Sequence, residues 1–228
     1  MAITLGNVSL DEANTAVRED LEEVGGRNER RIRLTGSIVG ENSVAAIHDR
    51  LDGILDAASV EDFSAELSLR TGRRMFVRRD KFRREVLGES LLGSFVLELE
   101  ARDPFEESIV LTTLPWTIAE SGATFAATSG GSVYAEPSIA LVASGNVVNP
   151  AFSDGSRTIA YSGIVADGET LVLDGAGRKA TLEGVDVTPY TSGVFPRIFP
   201  EGTTLTYTDD ASSSHTGTGT VSFRDRWW

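Results

Sequence analysis

Short apolar segments recur at regular intervals along the second half of this chain, separated by turns rich in glycine and aspartate. Six of these segments are SIALVA (138–143), RTIAYSG (157–163), TLVLD (170–174), KATLEG (179–184), TTLTYT (203–208) and TVSFRD (220–225). Regular short strands with turn signals between them are typical of antiparallel sandwiches. Because no convincing helical pattern occurs here, we predict a β-sandwich over residues 104–228, with a mobile loop at the polar run 209–219.

The first part of the chain combines alternating segments with one helical stripe. RRIRLTGSIVG (30–40) alternates in polarity, which predicts a half-buried strand with Ile32, Leu34 and Ile38 inside. After a cap at Asn42 or Ser43, a helix to about Ala58 is predicted from a stripe formed by Val44, Ile47, Leu51, Ile54 and Leu55. Further strands are predicted at 63–69, from 75 and at 95–101. We therefore expect a mainly β protein whose first domain is α+β, split-barrel-like, with one helix.

Charge marks the boundary between the two parts. Residues 1–103 contain 15 of the 21 basic residues and 20 of the 34 acidic ones. The change falls at DPFEES (103–108), where Pro104 ends a strand and two glutamates follow in a connection that we expect to be exposed. We predict domains at 1–103 and 104–228. Within the first domain, the stretch 11–24 fits either a helix or an extended arm. Its apolar residues recur both at helical spacing and at the two-residue spacing of a strand.

Composition excludes several classes of protein. The chain has no cysteine, so disulfides, cysteine nucleophiles and cysteine-ligated metals are excluded. A net charge of −13 makes it a poor general binder of nucleic acid or anionic membrane. No apolar run reaches the roughly 18 residues of a membrane span, and the first residues lack the pattern of a secretory signal. We expect a soluble globular protein.

No pattern in the sequence predicts catalysis, a cofactor or a bound metal. His48 and His215 are far apart and lack a paired ligand at metal spacing. Glu98 and Glu100 lie on one side of a predicted strand, roughly 7 Å apart by strand rise, which suits a glycosidase pair but equally a solvated face. The run 174–178 lacks the helix and the Lys-Ser/Thr pair of a phosphate loop, so we expect a hairpin turn. We predict that the protein is not an enzyme.

Two segments of opposite charge are candidate interface elements. The basic segment runs from Arg70 to Arg84 and the acidic segment from Asp11 to Glu23. The basic segment contributes Arg70, Arg73, Arg74, Arg78, Arg79, Lys81, Arg83 and Arg84, interrupted by Asp80. The acidic segment contributes Asp11, Glu12, Glu19, Asp20, Glu22 and Glu23. Three interpretations are open: pairing of the two segments within a subunit or between neighbours, a solvated hairpin, and contact with DNA.

Trp227 and Trp228 end the chain. Such an aromatic pair can stack on sugar, as lectin-like modules do. It can also pin the last strand into the sandwich or against a neighbouring molecule. We favour pinning, and carbohydrate binding by the second domain is the alternative function.

The order of several segments resembles the distal tail proteins of long-tailed phages. In the first part the resemblance rests on 30–40, LDGIL in the helix, LSLRTGRRMFVR (67–78) and FVLELEARDPFEES (95–108). In the second part it rests on GNVVNP (145–150), on 159–184, on FPEGTTLTYT (199–208) and on the terminal RDRWW. The segment 11–24 does not align with this pattern.

The resemblance implies a structural virion protein without a cofactor. Its first domain would form a ring, commonly a hexamer, that joins the tail tube protein to the tip or hub protein of the baseplate, with DNA only as passing cargo. Its second domain would be a galectin-like sandwich outside the ring that carries receptor-binding components. The protein would reside in the virion tail tip, and in the host cytoplasm during assembly. The alternative is a lectin-like module used in host-surface adsorption.

Overall fold

The computed structural model describes residues 3–24, 27–59 and 62–228. The chain divides into two compact units, residues 1–109 and residues 110–228. The sequence placed the boundary at Pro104, but Glu106–Ser108 forms a short strand that pairs with Arg73 and Arg74 of the first unit. Independent folding of the two parts stays a prediction.

The N-terminal unit is an antiparallel sheet with one helix. Its strands are β1 (Ile3–Leu5), β2 (Val8–Leu10), β3 (Thr15–Val24), β4 (Arg27–Ile38), β5 (Ala65–Ser68), β6 (Arg73–Leu87), β7 (Leu92–Ala101) and β8 (Glu106–Ser108), and its helix is α1 (Val44–Ala58). The sheet order is β2-β1-β5-β6-β7-β4-β3, and β8 pairs with β6. The 15-residue β6 pairs with β5 through its first part and with β7 through the rest.

Helix α1 forms as predicted, and its apolar stripe is buried at three of the five predicted positions, whereas Val44 is exposed and Leu55 half-buried. The Ser43 side chain accepts a hydrogen bond from the Ala46 N–H at 3.1 Å, which caps the helix. Ile47, Leu51 and Ile54 are buried against the sheet. The helix approaches β7 closely at Gly93, where an added Cβ would lie 2.5 Å from Ile47 Cγ2. Within the described ranges, no helix has the length and apolar character needed to cross a membrane.

The stretch 11–24, which the sequence left open, is mostly strand. A single 3₁₀ turn at Glu12–Asn14, capped by Asp11, leads into β3. Strand β3 pairs with β4 along its whole length, from Thr15 opposite Gly36 onwards. The extended form prevails because β4 offers a free edge whose hydrogen bonds an isolated arm would lack.

The second unit is an antiparallel β-sandwich. Its strands are β9 (Thr112–Ile118), β10 (Thr124–Ala127), β11 (Ser138–Ala143), β12 (Val147–Val148), β13 (Ala151–Ser153), β14 (Thr158–Tyr161), β15 (Ile164–Val165), β16 (Thr170–Asp174), β17 (Lys179–Leu182), β18 (Val185–Asp186), β19 (Thr191–Gly193), β20 (Thr203–Thr208), β21 (Gly217–Phe223) and β22 (Arg226–Trp227). One sheet has the order β10-β20-β13-β14-β19 and the other β18-β17-β16-β11-β21-β9, while β12 pairs with β15. The predicted fold class, mainly β with an α+β first part and a sandwich second part, is confirmed.

The core of the sandwich is formed by the inward-facing residues of both sheets. Phe152 on β13 and Tyr207 on β20 have aromatic rings 5.5 Å apart between centroids. Trp116 on β9 lies 5.8 Å from Phe152 and stacks on Phe125 at 5.4 Å. Trp116, Phe152 and Tyr207 are buried, so these side chains hold the sheets together rather than face a ligand.

The prediction of a loop over 209–219 was wrong for its last three residues. Residues 217–219 belong to β21, although Gly-Thr-Gly looks too polar for a strand. A Cβ on Gly217 would lie 2.7 Å from the Val142 carbonyl oxygen, and one on Gly219 would lie 3.2 Å from Trp116 Cβ. Glycine is therefore required by close packing, which a polarity pattern does not reveal.

Candidate functional site

The sheet of the N-terminal unit carries a charged face on the side away from its core. Residues directly opposite one another on β3, β4, β7 and β6 form two rows. The first row is Asp20, Arg31, Glu100 and Arg78, and the second is Arg18, Arg33, Glu98 and Lys81. Charge alternates along the first row, so each residue there faces an opposite charge across the strand.

Ion pairs link these rows. Arg18 Nε lies 2.9 Å from Asp20 Oδ2, and Arg31 Nε lies 3.1 Å from Glu22 Oε2. Arg33 Nη1 lies 3.7 Å from Glu98 Oε1, and Arg78 binds Glu100. The carboxylates considered as a glycosidase pair are thus held by arginines, an arrangement that favours the interpretation as a solvated charged face.

Most cations of the basic segment have acidic or polar partners in their own chain. The contacts are Arg70 with Glu19 and Glu106, Arg73 with Glu106, Arg74 with Glu66 and Glu107, Arg78 with Glu100, Arg79 with Ser59, and Arg84 with Asp52. Among the described residues, Arg79, Lys81 and Arg83 form no ion pair, although Arg79 donates to the Ser59 hydroxyl. These contacts favour pairing over an open nucleic-acid surface, because bound cations have less to gain from phosphate.

Among the contacts of the described residues given above, the acidic segment supplies Glu19. Glu19 binds Arg70, whereas Asp20 and Glu22 bind Arg18 and Arg31 beside them. Glu23 is exposed near the end of β3. The contact between Glu19 and Arg70 joins the two segments within the chain. The remaining partners of the basic segment come from α1, β5, β7, β8 and Ser59, the helix C-cap.

Sequence reasoning missed a buried ion cluster, which consists of Glu19, Arg30, Arg70, Arg73 and Glu106. Arg30 is 5% exposed and Glu106 only 1%. Arg70 Nη1 donates to Glu106 Oε1 at 2.6 Å, and Arg30 Nη1 donates to the Pro104 carbonyl at 3.1 Å. Glu19 accepts from both Arg30 and Arg70. The expectation that Glu106 lies in an exposed connection was wrong, because β8 brings it beneath these arginines.

Burial changes the pKa of Arg30. Loss of hydration lowers the pKa of its guanidinium, Glu106 raises it and Arg70 lowers it, so the net pKa lies below the ordinary arginine value. An arginine remains charged under these conditions, so its charge has to be matched by the carboxylates around it. The cluster ties the edge strand β3 to β4, to the β5–β6 turn and to the segment after β7.

The terminal tryptophans differ in exposure. Trp228 is 50% exposed, while Trp227 is half-buried on β22. The end of the chain is held in the second unit, because the Arg226 carbonyl accepts from Ser132 N at 2.9 Å and Trp228 N donates to Ser132 Oγ at 3.2 Å. These bonds agree with an anchored last strand and leave one aromatic surface accessible.

A buried carboxylate in the second unit organises the residues before β21. Asp209 accepts from Tyr207 Oη at 2.7 Å, and His215 Nδ1 lies 2.8 Å from its other oxygen. Burial raises the pKa of Asp209, but hydrogen bonds from Tyr207, His215 and Ser121 outweigh it, so the pKa lies below its usual range. Burial and Asp209 together raise the pKa of Tyr207, which keeps its hydroxyl a donor.

His48, the other histidine, is exposed on α1, and no group of three or more potential metal ligands occurs among the described side chains.

Asp154 is a second buried carboxylate of this unit. It accepts from Ser156 N at 2.9 Å, Arg157 N at 2.7 Å and Arg197 N at 2.9 Å. Burial raises its pKa, but these backbone bonds and the Arg157 guanidinium outweigh burial and leave the pKa below its usual range. The ionised carboxylate therefore holds two separate chain segments together.

We expect the second unit to lose stability in acid. A carboxylate with a depressed folded pKa stabilises above its unfolded pKa of about 3.9, and this stabilisation disappears as pH falls through the folded value. Asp154→Asn should cost about 1 to 3 kcal/mol at pH 7, and the difference from the unaltered protein should shrink toward pH 2. Tryptophan fluorescence during urea unfolding measures this, because all three tryptophans lie beyond residue 109.

The control for this experiment is Glu201→Gln, which neutralises an exposed carboxylate. It should shift stability by less than about 0.5 kcal/mol at either pH. A loss for Asp154→Asn that is equal at pH 7 and pH 2 would mean that ionisation of Asp154 does not stabilise the fold.

The fold as a whole has a known structural counterpart. No family model matches the chain, and no curated protein matches it in sequence. The crystal structure of the Dit protein of SPP1, a paradigm of the hub adsorption apparatus in phages that infect Gram-positive bacteria, is similar with a TM-score of 0.70 and 12% identity. The likeness covers 100% of this chain and 99% of that one, so the two proteins share a fold along their whole length.

Proposed function

We propose that this chain is a structural protein of a phage tail, located at the distal end of the tail in the virion. The observation that carries the proposal is the full-length likeness to the SPP1 Dit protein, which belongs to a hub adsorption apparatus. In the proposed role, the N-terminal unit forms a hexameric ring between the tail tube and the tip or hub protein. The sandwich carries host-recognition components, and assembly takes place in the host cytoplasm.

We propose a structural rather than an enzymatic role. Glu98 and Glu100, the carboxylates considered for catalysis, are engaged by Arg33 and Arg78. A general acid needs a reacting bond within hydrogen-bond reach, whereas both of these carboxylates are engaged in ion pairs with arginines of the same sheet face.

The ring contact is proposed between different patches of neighbouring subunits. Such a head-to-tail contact closes into a ring when the rotation that relates one subunit to the next allows it. Since Arg70, Arg73, Arg74 and Arg78 are bound within their own chain, Lys81 and Arg83 are the cations best placed to face a neighbour. Their acidic partners there would be Glu23 and Glu22, whose own pair with Arg31 is exposed and can exchange. Exposed ion pairs contribute only about 0.2 to 1 kcal/mol each, so apolar contacts must add to them. Val17 and Leu21, exposed on the edge strand β3, can supply these.

Native mass spectrometry and negative-stain imaging of the purified protein test this proposal. We expect a closed ring that weakens as salt rises toward 1 M, where the screening length falls to about 3 Å. The pair Lys81→Glu and Arg83→Glu should shift the protein toward monomer, and Glu22→Lys with Glu23→Lys should partly restore the ring. Lys179→Glu, a charge reversal on the second unit, should leave the ring intact.

A monomer at every concentration and salt, with or without added tail tubes, would contradict the ring. A ring that is indifferent to the reversals at Lys81 and Arg83 would instead show that the contact lies elsewhere on the unit.

Carbohydrate binding by the second unit is the other candidate, and the half-exposed Trp228 favours it. A glycan array should reveal binding that Trp228→Ala removes. A protein that binds glycans and stays monomeric would favour this lectin-like function over the tail ring.

A further inference from the structure

Residues 210–216 of the second unit, which we call the strap, are held in place by polar contacts. Every residue of the strap is exposed or half-buried, and its one aliphatic residue is Ala211. Burial of apolar side chains therefore contributes little to the position of the strap. At the far end, Thr216 Oγ1 donates to the Ser144 carbonyl at 2.7 Å, and the chain continues into β21. The strap stays where it is because of its hydrogen bonds.

The strap lies along the edge of β12 that is not paired with β15. In the part of the chain that the structure describes, β15 is the only strand that pairs with β12. On the other side, Val148 N donates to Ser213 Oγ at 2.8 Å, and the Val148 carbonyl accepts from Asp210 N at 3.0 Å. Ser214 N donates to the Asn146 carbonyl at 2.8 Å. The strap therefore satisfies backbone groups that would otherwise form an unpaired sheet edge.

One buried carboxylate fastens both ends of the strap to the core. Asp209 immediately precedes the strap, and its side chain is fully buried. Its Oδ2 accepts from Oη of Tyr207, a core residue of β20, and its Oδ1 lies 2.8 Å from Nδ1 of His215 near the other end of the strap. Because the carboxylate is ionised and accepts, Nδ1 carries the hydrogen of this bond. The contact between His215 and Asp209 thus closes the strap on itself.

The backbone at His215 opposes this closed position. Its φ is +60°, in the left-handed region, which asparagine and glycine adopt at lower cost than most residues. The hydrogen bond from the imidazole to a buried charge offsets that cost, since bonds to ionised groups are the strong ones. Loss of this one bond leaves a strained residue in an exposed segment, so the strap is poised to move when the bond breaks.

We infer that the strap is a latch: it leaves β12 as one piece when the contact between His215 and Asp209 breaks, while the sandwich stays folded. The sandwich can stay folded because its core cluster is built from side chains outside the strap. Opening uncovers the N–H and carbonyl of Val148 and the carbonyl of Asn146, which are then free to pair with an extended segment of another chain. The closed strap keeps this sheet edge from such pairing.

Hydrogen exchange of the full chain at pH 7, measured by mass spectrometry with fragmentation to single amides, tests the inference. In the unaltered protein, the amides of Val148, Asp210 and Ser214 should be protected, but should exchange faster than those of β11 and β20, because a local opening costs less than global unfolding. His215→Ala should speed exchange of these three amides by about tenfold or more, since it removes a hydrogen bond to a charged group. Exchange in β11 and β20 should be unaltered.

Two further variants separate the hydrogen bond from other effects of the substitution. His215→Asn keeps a donor nitrogen at the same number of bonds from the backbone and suits the left-handed conformation, so exchange should remain as slow as in the unaltered protein. His48→Ala is the matched control, because it removes the other histidine, which is exposed on α1. It should leave exchange of Val148, Asp210 and Ser214 unaltered.

Three results would overturn the latch. Unaltered exchange of the strap in His215→Ala would show that the contact with Asp209 does not fasten it. Equal acceleration in the strap and in β11 would show that the strap opens only when the whole unit unfolds. Exchange of Val148 and Ser214 at the rate of a free peptide in the unaltered protein would show that the strap is not closed. The ring proposed for the N-terminal unit stands or falls separately, because none of these measurements depends on it.

Discussion

Replacing Arg30 with alanine is expected to lower the unfolding free energy of the N-terminal unit by about 3 to 5 kcal/mol. Arg30 is almost fully buried and binds Glu19 and the Pro104 carbonyl. Its removal leaves the carboxylate of Glu106, also buried, with less positive charge nearby. Taking one partner out of a buried ion cluster is costly, because the remaining charge can neither pair fully nor reach water.

Hydrogen exchange measured by mass spectrometry on the full chain can detect this loss unit by unit. Peptides from β3 and β4 should exchange much faster in Arg30→Ala. Tryptophan fluorescence should be unaltered, because residues 1–109 contain no tryptophan. Arg30→Lys should have an intermediate effect, because lysine keeps the charge but loses the forked geometry of the guanidinium.

Arg33→Ala is the matched control on the same strand. Arg33 is on the opposite side of β4, its side chain is 54% exposed, and its pair with Glu98 spans 3.7 Å. Loss of such a surface pair should cost less than about 1 kcal/mol. Equal effects at Arg30 and Arg33 would contradict the buried cluster. Because the cluster holds the edge strand β3 in place, Arg30→Ala should also reduce ring formation if the proposed contact on β3 is correct.

Phe152→Ala is expected to destabilise the second unit by about 3 to 5 kcal/mol. Phe152 is fully buried and contacts the aromatic rings of both Trp116 and Tyr207. Truncation removes the side chain that bridges the two sheets and leaves a cavity that rigid β-strands cannot readily fill. Urea unfolding followed by tryptophan fluorescence should show a lower midpoint.

The control for this substitution is Tyr190→Ala, which removes an aromatic side chain that is 62% exposed. It should change stability by less than about 0.5 kcal/mol. A loss below about 1 kcal/mol at Phe152 would mean that the two sheets do not pack through this aromatic group.

Local patterns in the sequence were sufficient to predict many of the strands and the helix. The segments 138–143, 170–174 and 203–208 coincide with β11, β16 and β20. The helix predicted from the stripe beginning at Val44 ends at Ala58, as expected. These predictions succeed because alternation with period two, or a stripe at helical spacing, records which side of an element is buried, and that information is contained in neighbouring residues.

Tertiary structure decided which charged groups are buried and what they bind. Alternation places Arg30 on the same side of β4 as Ile32 and Leu34, but the local pattern does not show that an arginine at this end of the strand is buried or which groups match its charge. Glu19 meets Arg70 across 51 positions of sequence. Likewise, 11–24 became a strand because β4 had a free edge, and Gly217 became part of β21 because Val142 lies so close. The sequence by itself determined the periodicity and therefore the elements, whereas the burial of a charge depends on partners that only the packed sheet brings within reach.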